Sequence, residues 1–311
     1  MTEKGSAVFS FYNVVDQENK GVRDSIGITV DPKDLIENIK DLVNSGYHPA
    51  SVSDVVNGNA TDGSFALLAS DGYDLDNGEG SGDNIRQYTK MNNIPLAFAI
   101  PAGLVGENKP SWTNQIEIAL QDALEAAKGQ VIKFEIPGGS QSQAHFATVD
   151  EAIDLRNKLK DLKPGQMNGN AYVGVLCENL SKAVGGTISP TIISDSPFDR
   201  KMTWDQIQDL ASDGHEIISL GRAHNNPYTN LDDAEIAADV NAAQSAFEQN
   251  ASVTPKVMAY PEGAYNDDVK TVLQSNGIEV AFTLQYGGID ENTDRMELPR
   301  VMVTQEMLEH S

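Results

Sequence analysis

The pattern of apolar and polar residues predicts strands that alternate with helices along most of the chain. Short apolar runs bounded by turn residues are typical of buried strands, and longer runs with apolar residues three or four apart are typical of helices. The predicted strands cover residues 7–15, 65–71, 95–101, 131–136, 215–220, 256–260, 279–284 and 298–303. The predicted helices cover residues 31–44, 85–93, 112–128, 148–162, 204–212, 232–250 and 267–277. This alternation indicates an α/β protein with a parallel sheet.

One buried strand ends in a candidate functional carboxylate. The apolar run at residues 65–69 leads directly into Ser70 and Asp71. Parallel α/β folds place their chemistry at the carboxyl ends of such strands. Asp71 is therefore a candidate site residue, and the alternative is that Asp71-Gly72 forms only a turn.

The composition argues against nucleic acid as a partner. The chain has 46 acidic and 22 basic residues, for a formal charge of −24. This surface should repel nucleic acid and anionic membranes. Adaptation to high salt is one explanation, and an excess of Asp over Glu fits a halophilic protein, whereas an excess of Lys over Arg does not. Solubility alone is the other explanation.

Apolar content and cysteine usage limit where the chain is expected to work. It has no run of about 20 apolar residues, so no membrane insertion is predicted. Residues 1–11 lack a basic stretch followed by a long apolar one, so we expect no signal peptide. The expected location is either the cytoplasm or an extracellular assembly such as a virion. Cys177 is the single cysteine, which excludes an intrachain disulfide, and we expect a buried thiol.

An acidic, glycine-rich stretch at residues 74–83 leaves two interpretations open. It contains Asp74, Asp76, Glu79 and Asp83, but its spacing does not match a calcium-binding EF-hand loop. A solvated loop is the simpler interpretation, and a calcium site is the alternative.

Several motifs in order resemble the polysaccharide deacetylases of carbohydrate esterase family 4. They lie at residues 46–49, 65–74, 93–98, 202–204, 214–217, 259–266, 277–283 and 298–301. The resemblance implies a distorted (β/α) barrel of the polysaccharide deacetylase type. We expect a single domain over residues 1–311 with a helical insert at about residues 107–200.

The resemblance also implies a metal site, which this sequence has altered. Family members hold a metal, usually zinc, with one Asp and two His, and a neighbouring Asp acts as the general base. Here Asp71 stands at the ligand position, but Ser70 stands in place of the general base. His224 matches one histidine ligand, whereas Leu220 stands at the other. Glu216 and Ser219 could replace the lost ligand, but nothing favours them.

The resemblance assigns further residues to a substrate-binding groove. They are Asn13, where the family has a histidine, Tyr73, Tyr260, Pro261 and Arg300. Tyr73, Tyr260 and Tyr265 could stack on sugar rings or could equally be core residues.

A scaffold with its groove motifs kept and its catalytic groups altered suggests a catalytically degenerate protein. We expect a pseudoenzyme that is a glycan-binding or structural module and has no cofactor. A virion or cell-surface component assembled with other subunits is one such setting. The alternative is an active metal-dependent amino-sugar N-deacetylase with a rebuilt zinc site. Both interpretations predict that Asp71 and His224 lie close together, and the first predicts that Leu220 is buried.

Overall fold

The computed structural model describes residues 5–16, 22, 27, 29–75, 84–106, 110–138, 143–165, 167–189, 200–224 and 226–309. Most of the acidic loop, including Asp76, Glu79 and Asp83, lies outside the described residues, so its calcium alternative stays a prediction. The chain divides into two compact units. The first comprises residues 1–17, 27–108 and 201–311, and the second residues 18–26 and 109–200. The expectation of a single domain with an insert stays a prediction.

The first unit is built on a parallel sheet. Its strands are β1 (Ala7–Phe11), β2 (His48–Pro49), β3 (Ser64–Ala69), β4 (Leu96–Ile100), β7 (Glu216–Ser219), β8 (Val257–Ala259), β9 (Val280–Phe282) and β10 (Val301–Met302). They follow the order β10-β1-β3-β4-β7-β8-β9, and β2 pairs with β3. Leu298 bridges to Phe282 of β9, while Val301 pairs with Phe9 of β1. The last segment therefore joins the two ends of the sheet, and the predicted (β/α) barrel class is confirmed.

The helices of this unit are α1 (Pro32–Asn44), α2 (Val52–Val56), α3 (Ile85–Met91), α7 (Trp204–Ser212), α8 (Asp233–Ala251), α9 (Asp267–Ser275) and α10 (Gln305–Glu309). Local sequence explains several boundaries. The Asp31 side chain accepts a hydrogen bond from the backbone of Lys33, ahead of a proline in the first turn. Thr203 and Gln206 form a reciprocal capping box at the start of α7, with Thr203 as the N-cap.

Strand β3 shows how the sheet divides its side chains between two cores. Leu67 and Ala69 pack with the apolar residues of the surrounding helices. Ala66 and Leu68, on the other face, pack with strand residues such as Leu220 in the interior of the barrel. Because both faces are buried, the strand is continuously apolar, as the sequence indicated.

The second unit contains three helices and a hairpin among its described residues. They are α4 (Trp112–Ala127), α5 (Val149–Leu162), α6 (Gly169–Val184) and the antiparallel pair β5 (Ile132–Glu135) and β6 (Gln143–Phe146). Cys177 is 2% exposed in the core of this unit, so its predicted burial is confirmed. Arg156 Nε lies 3.0 Å from Glu117 Oε1, and both side chains are buried.

Five of these elements were not predicted: α2, α6, α10, β2 and β6. The apolar residues of α6 recur at helical spacing, but only the run at residues 172–177 stood out from the sequence. No helix in the described parts of the chain is long and apolar enough to cross a membrane.

Candidate functional site

Asp71 and His224 come together at the carboxyl ends of the parallel strands. Asp71 lies two residues beyond β3, and His224 lies five residues beyond β7. His224 Nε2 is 3.7 Å from Asp71 Oδ1, and the two side chains are 13% and 11% exposed. The prediction that they lie close together is therefore confirmed. The separation exceeds hydrogen-bonding distance, so the pair interacts by charge when the imidazole is protonated.

Three residues at these strand ends have left-handed backbone conformations that non-glycine residues rarely adopt. The φ angles are 63° for Asp71, 43° for His224 and 56° for Glu262, and these residues follow β3, β7 and β8. Such conformations cost about 1 kcal/mol or more each and persist where surrounding contacts impose them. Strain of this kind clusters at functional sites, so it marks this end of the barrel as the candidate site.

Lys201 is one contact that holds Asp71. Its buried ammonium group donates a hydrogen bond of 3.0 Å to the backbone carbonyl of Asp71. The same nitrogen lies 3.1 Å from the centroid of the Tyr73 ring, a cation–π contact. Lys201 thus covers one face of the Tyr73 ring, and Tyr73 is only 5% exposed.

Asp239 of α8 holds the segment that carries His224. Its carboxylate accepts hydrogen bonds from the backbone N–H groups of Arg222 and Ala223, at 2.8 and 2.9 Å. The hydroxyl of Tyr228 donates to the same carboxylate at 2.8 Å. Three donors on one carboxylate fix the path of the chain between β7 and His224. His224 Nδ1 is buried and makes no hydrogen bond within the described part of the chain.

Ser70, at the position of the family's general base, is bonded to a buried cation. Arg300 Nη1 lies 3.1 Å from Ser70 Oγ and 3.2 Å from Ser10 Oγ, and the two hydroxyl oxygens are 3.1 Å apart. Arg300 Nε donates to the backbone carbonyl of Thr283 at 2.9 Å. Ser70 is 1% exposed and Arg300 is 3% exposed.

The charge of Arg300 acts on its ionisable neighbours. Burial lowers the pKa of the Arg300 guanidinium, and the nearby Tyr12 and Asp71 oppose that shift. Burial and the Asp71 carboxylate raise the pKa of Tyr12 to about 12, against the influence of Arg300. Arginine remains charged in proteins, so a permanent cation lies inside this end of the barrel.

The described residues do not fit a zinc ion. Leu220 is 2% exposed and packs in the barrel interior, which confirms its predicted burial. Ser219 Oγ accepts a hydrogen bond from the backbone of Gly221. Glu216 accepts from the backbone of Ser53 at the opposite end of β7. Neither supplies a third ligand, and no group of three His, Cys, Asp or Glu in the described ranges could hold a metal ion.

The residues assigned to substrate binding are buried. Asn13 is fully buried and its side chain accepts a hydrogen bond from the backbone of Val14. Tyr260 is 1% exposed, donates its hydroxyl to the carbonyl of Met296, and stacks on Tyr265 with ring centroids 4.9 Å apart. Pro261 is also buried. Of the two interpretations left open for Tyr73 and Tyr260, their burial favours core packing. The assignment of these residues to substrate binding stays a prediction.

Sequence reasoning missed Ser10, Lys201, Asp239 and Thr283. Ser10, Lys201 and Thr283 each contact a candidate residue, and Asp239 holds the segment that carries His224. Thr283 ends one of the motifs, but the motif does not show its contact with Arg300. Ser10 alone carried a signal, since it precedes the end of the first predicted strand.

The strand order and the closure of the sheet match the (β/α) barrel fold of the polysaccharide deacetylases. Residues 170–281 match the family model for polysaccharide deacetylases. The resemblance drawn from the motifs is confirmed.

Individual relatives and solved structures show the same likeness. The chain is 25% identical over 101 residues to the poly-beta-1,6-N-acetyl-D-glucosamine N-deacetylase of Staphylococcus epidermidis, covering 32% of this chain and 35% of that enzyme. The match thus spans about a third of that relative. The structure of IcaB from Ammonifex degensii has a TM-score of 0.58 at 12% identity, covering 98% of this chain and 94% of that one. The Streptococcus pyogenes deacetylase PplD in complex with acetate has a TM-score of 0.59 at 10% identity, with 98% and 95% covered. At these identities the structural likeness supports the fold alone.

Proposed function

We propose that this protein binds a glycan at the carboxyl ends of its barrel strands and does not remove acetyl groups. The observation that carries the proposal is the contact between Arg300 and Ser70. Metal-dependent deacetylation needs a general base that accepts a proton from water and a metal that polarises the amide. At the position of the base, this chain has a hydroxyl bonded to a guanidinium.

The charge balance explains why the hydroxyl cannot replace the carboxylate. The hydroxyl of Ser70 contacts another hydroxyl and a permanent cation, and neither group accepts a proton near neutral pH. Arg300 would moreover repel a divalent cation held by Asp71, because this buried charge is only weakly screened. These residues therefore disfavour both a general base at position 70 and a divalent metal ion bound to Asp71.

The alternative, an active deacetylase, is favoured by one observation. Asp71 and His224 remain 3.7 Å apart in strained conformations, an arrangement that a purely structural role does not need. This alternative requires a third ligand that the described residues do not provide.

An acetyl-release assay separates the two functions. Purified protein is incubated with oligomers of N-acetylglucosamine and excess Zn²⁺, and free amines are measured, with Asp71→Asn as the matched control. We expect no release above that of the control. Release that depends on both Zn²⁺ and Asp71 would establish the deacetylase instead.

A further inference from the structure

We propose that the loop after β9, which carries Leu284 and Tyr286, is a subsite for an amine-bearing glycan, a polymer of glucosamine units. This inference rests on the proposed glycan-binding function and names the residues and the chemical form of the ligand. Sequence reasoning assigned no role to either side chain.

The loop lies at the candidate site because Arg300 forms hydrogen bonds both with the loop and with Ser70 of the candidate site. The backbone N–H of Arg300 donates to the carbonyl of Gln285 at 2.9 Å, and its side chain donates to the carbonyl of Thr283. The same guanidinium contacts Ser70, next to Asp71. One residue therefore connects Tyr286, which follows Gln285, to the centre of the candidate site.

Leu284 and Tyr286 are exposed, whereas Tyr73 and Tyr260 at the same end of the barrel are buried. Tyr286 is 79% exposed and Leu284 is 47% exposed, whereas Tyr73 and Tyr260 are at most 5% exposed. Single exposed apolar residues are common on proteins. These two differ because they stand two positions apart on one anchored loop at the functional end of the barrel. A tyrosine offers a broad apolar face and a polar tip at low cost in conformational entropy, which suits a sugar ring.

Contacts hold this loop in place before any ligand binds. The side chain of Gln285 donates to the hydroxyl of Tyr265 at 2.7 Å. Leu284 packs over Gly263, whose φ is +69°. A Cβ at position 263 would lie 2.6 Å from Leu284 Cγ, so only glycine leaves room for the leucine side chain. Pre-organisation of this kind lowers the entropy lost on binding.

The charges next to the loop select a cationic ligand. The hydroxyl of Tyr265 also contacts Glu297. Glu297, Asp267 and Asp294 lie around the single ammonium of Lys270, at 2.6, 2.8 and 3.9 Å. Three carboxylates around one ammonium leave a net negative charge, in a chain whose formal charge is −24. An amine-bearing sugar is attracted to this surface, a neutral acetylated sugar is not, and a uronate is repelled.

Binding of three hexasaccharides tests this assignment. Affinities for hexamers of glucosamine, N-acetylglucosamine and galacturonate are measured by calorimetry on the full chain in about 0.05 M salt. We expect the glucosamine hexamer to bind at least about tenfold more tightly than the other two. Tyr286→Ala should weaken that binding about tenfold, and Tyr286→Phe should keep it within about threefold.

Two controls separate a subsite from unspecific attraction. Met91 is 74% exposed at the end of α3, which leads into the amino end of β4, so Met91→Ala should leave affinity unchanged. Hexalysine should bind with no dependence on Tyr286. Equal affinities of the native chain and Tyr286→Ala, with matching melting curves, would overturn the subsite, as would a preference for the acetylated hexamer.

The assay also distinguishes failure of the subsite from failure of the proposed function. Acetyl release from the N-acetylglucosamine hexamer, or no binding of any hexamer, would contradict the proposed function. Glycan binding without release, but insensitive to Tyr286→Ala, would contradict the subsite alone.

Discussion

Position 70 holds a neutral hydroxyl beside a buried guanidinium, and a carboxylate would fit that charge environment better. An Asp at position 70 would pair with Arg300 and would neutralise the cation that now repels a metal. A histidine at position 220 would supply the missing imidazole. Both changes are needed, because one corrects the charge and the other supplies the ligand.

We therefore predict that the double variant Ser70→Asp with Leu220→His binds Zn²⁺ at least about tenfold more tightly than the native chain. Calorimetric titration with ZnCl₂ measures the affinity. The matched control is Ser70→Asp with Leu220→Ala, which lacks the imidazole. If both double variants bind Zn²⁺ equally, the account of the missing ligand is wrong.

The sequence predicted the single residues of the site better than their partners. Asp71, His224 and the buried Leu220 were found because each occupies a fixed place in a motif at a strand end. The contact of Arg300 with Ser70 joins residues 230 positions apart, and no local pattern records such a contact. The two interpretations of Tyr73 stayed open for the same reason, because the lysine that covers its ring comes from a remote segment.

Helix α6 buries two ionisable side chains in their neutral forms. The hydroxyl of Tyr172 is buried and has no hydrogen-bond partner in the described ranges. Burial raises the pKa of Tyr172 to about 12. Burial, with a smaller contribution from Asp122, raises the pKa of the Cys177 thiol to about 12 as well. Both shifts favour the protonated form in the folded chain.

Stability should therefore fall in alkaline solution. Because the pKa values are raised in the folded state, the unfolded chain loses these protons first, with ordinary values of 9.0 for Cys and 10.0 for Tyr. The contribution is complete below about pH 9 and declines as pH rises toward 12. We predict that the free energy of unfolding, measured in urea at pH 7, 9, 10 and 11, decreases above pH 9.

The variant Tyr172→Phe identifies the hydroxyl responsible. Removing a buried hydroxyl without a partner should raise the free energy of unfolding by about 1 kcal/mol at pH 7 and should reduce the alkaline decline. Tyr286→Phe, which removes a hydroxyl from an exposed ring, should change neither quantity. A loss of stability in Tyr172→Phe at pH 7 would show that the hydroxyl has a partner.

Elements with a strong local signal were predicted, and those that depend on tertiary contacts were not. The strand at β3 is continuously apolar, and α7 carries a complete capping box, so both were visible in the sequence. In α6 the helical spacing runs on to Leu180, beyond the short apolar run that stood out. Strand β6 is only four residues long and needs β5 as its partner.

At the scale of the whole molecule, charge repulsion dominates the electrostatics. The 22 basic residues cannot pair with 46 acidic ones. The Debye length is about 30 Å at 0.01 M salt and about 3 Å at 1 M, so molar salt removes most of this repulsion. We predict a melting temperature that rises steeply between about 0.1 and 2 M KCl.

NaCl should act like KCl, whereas sulfate would also strengthen apolar burial and is unsuitable for this test. A melting temperature that stays flat or falls over this range would contradict adaptation to high salt. The acidic surface would then be explained by a cationic ligand instead.

The closure of the barrel also determines when the site can form during synthesis. Phe9 of β1 pairs with Val301, and Ser10 bonds to Arg300, 290 positions further along, so both contacts form only after that segment has been synthesised. A ribosome that adds about 5–20 residues per second needs roughly 15 to 60 s to travel that far. During this interval one edge of β1 has no neighbouring strand, and open edges pair readily with other chains. The nascent chain therefore needs protection of the open edge of β1 until β10 has been synthesised.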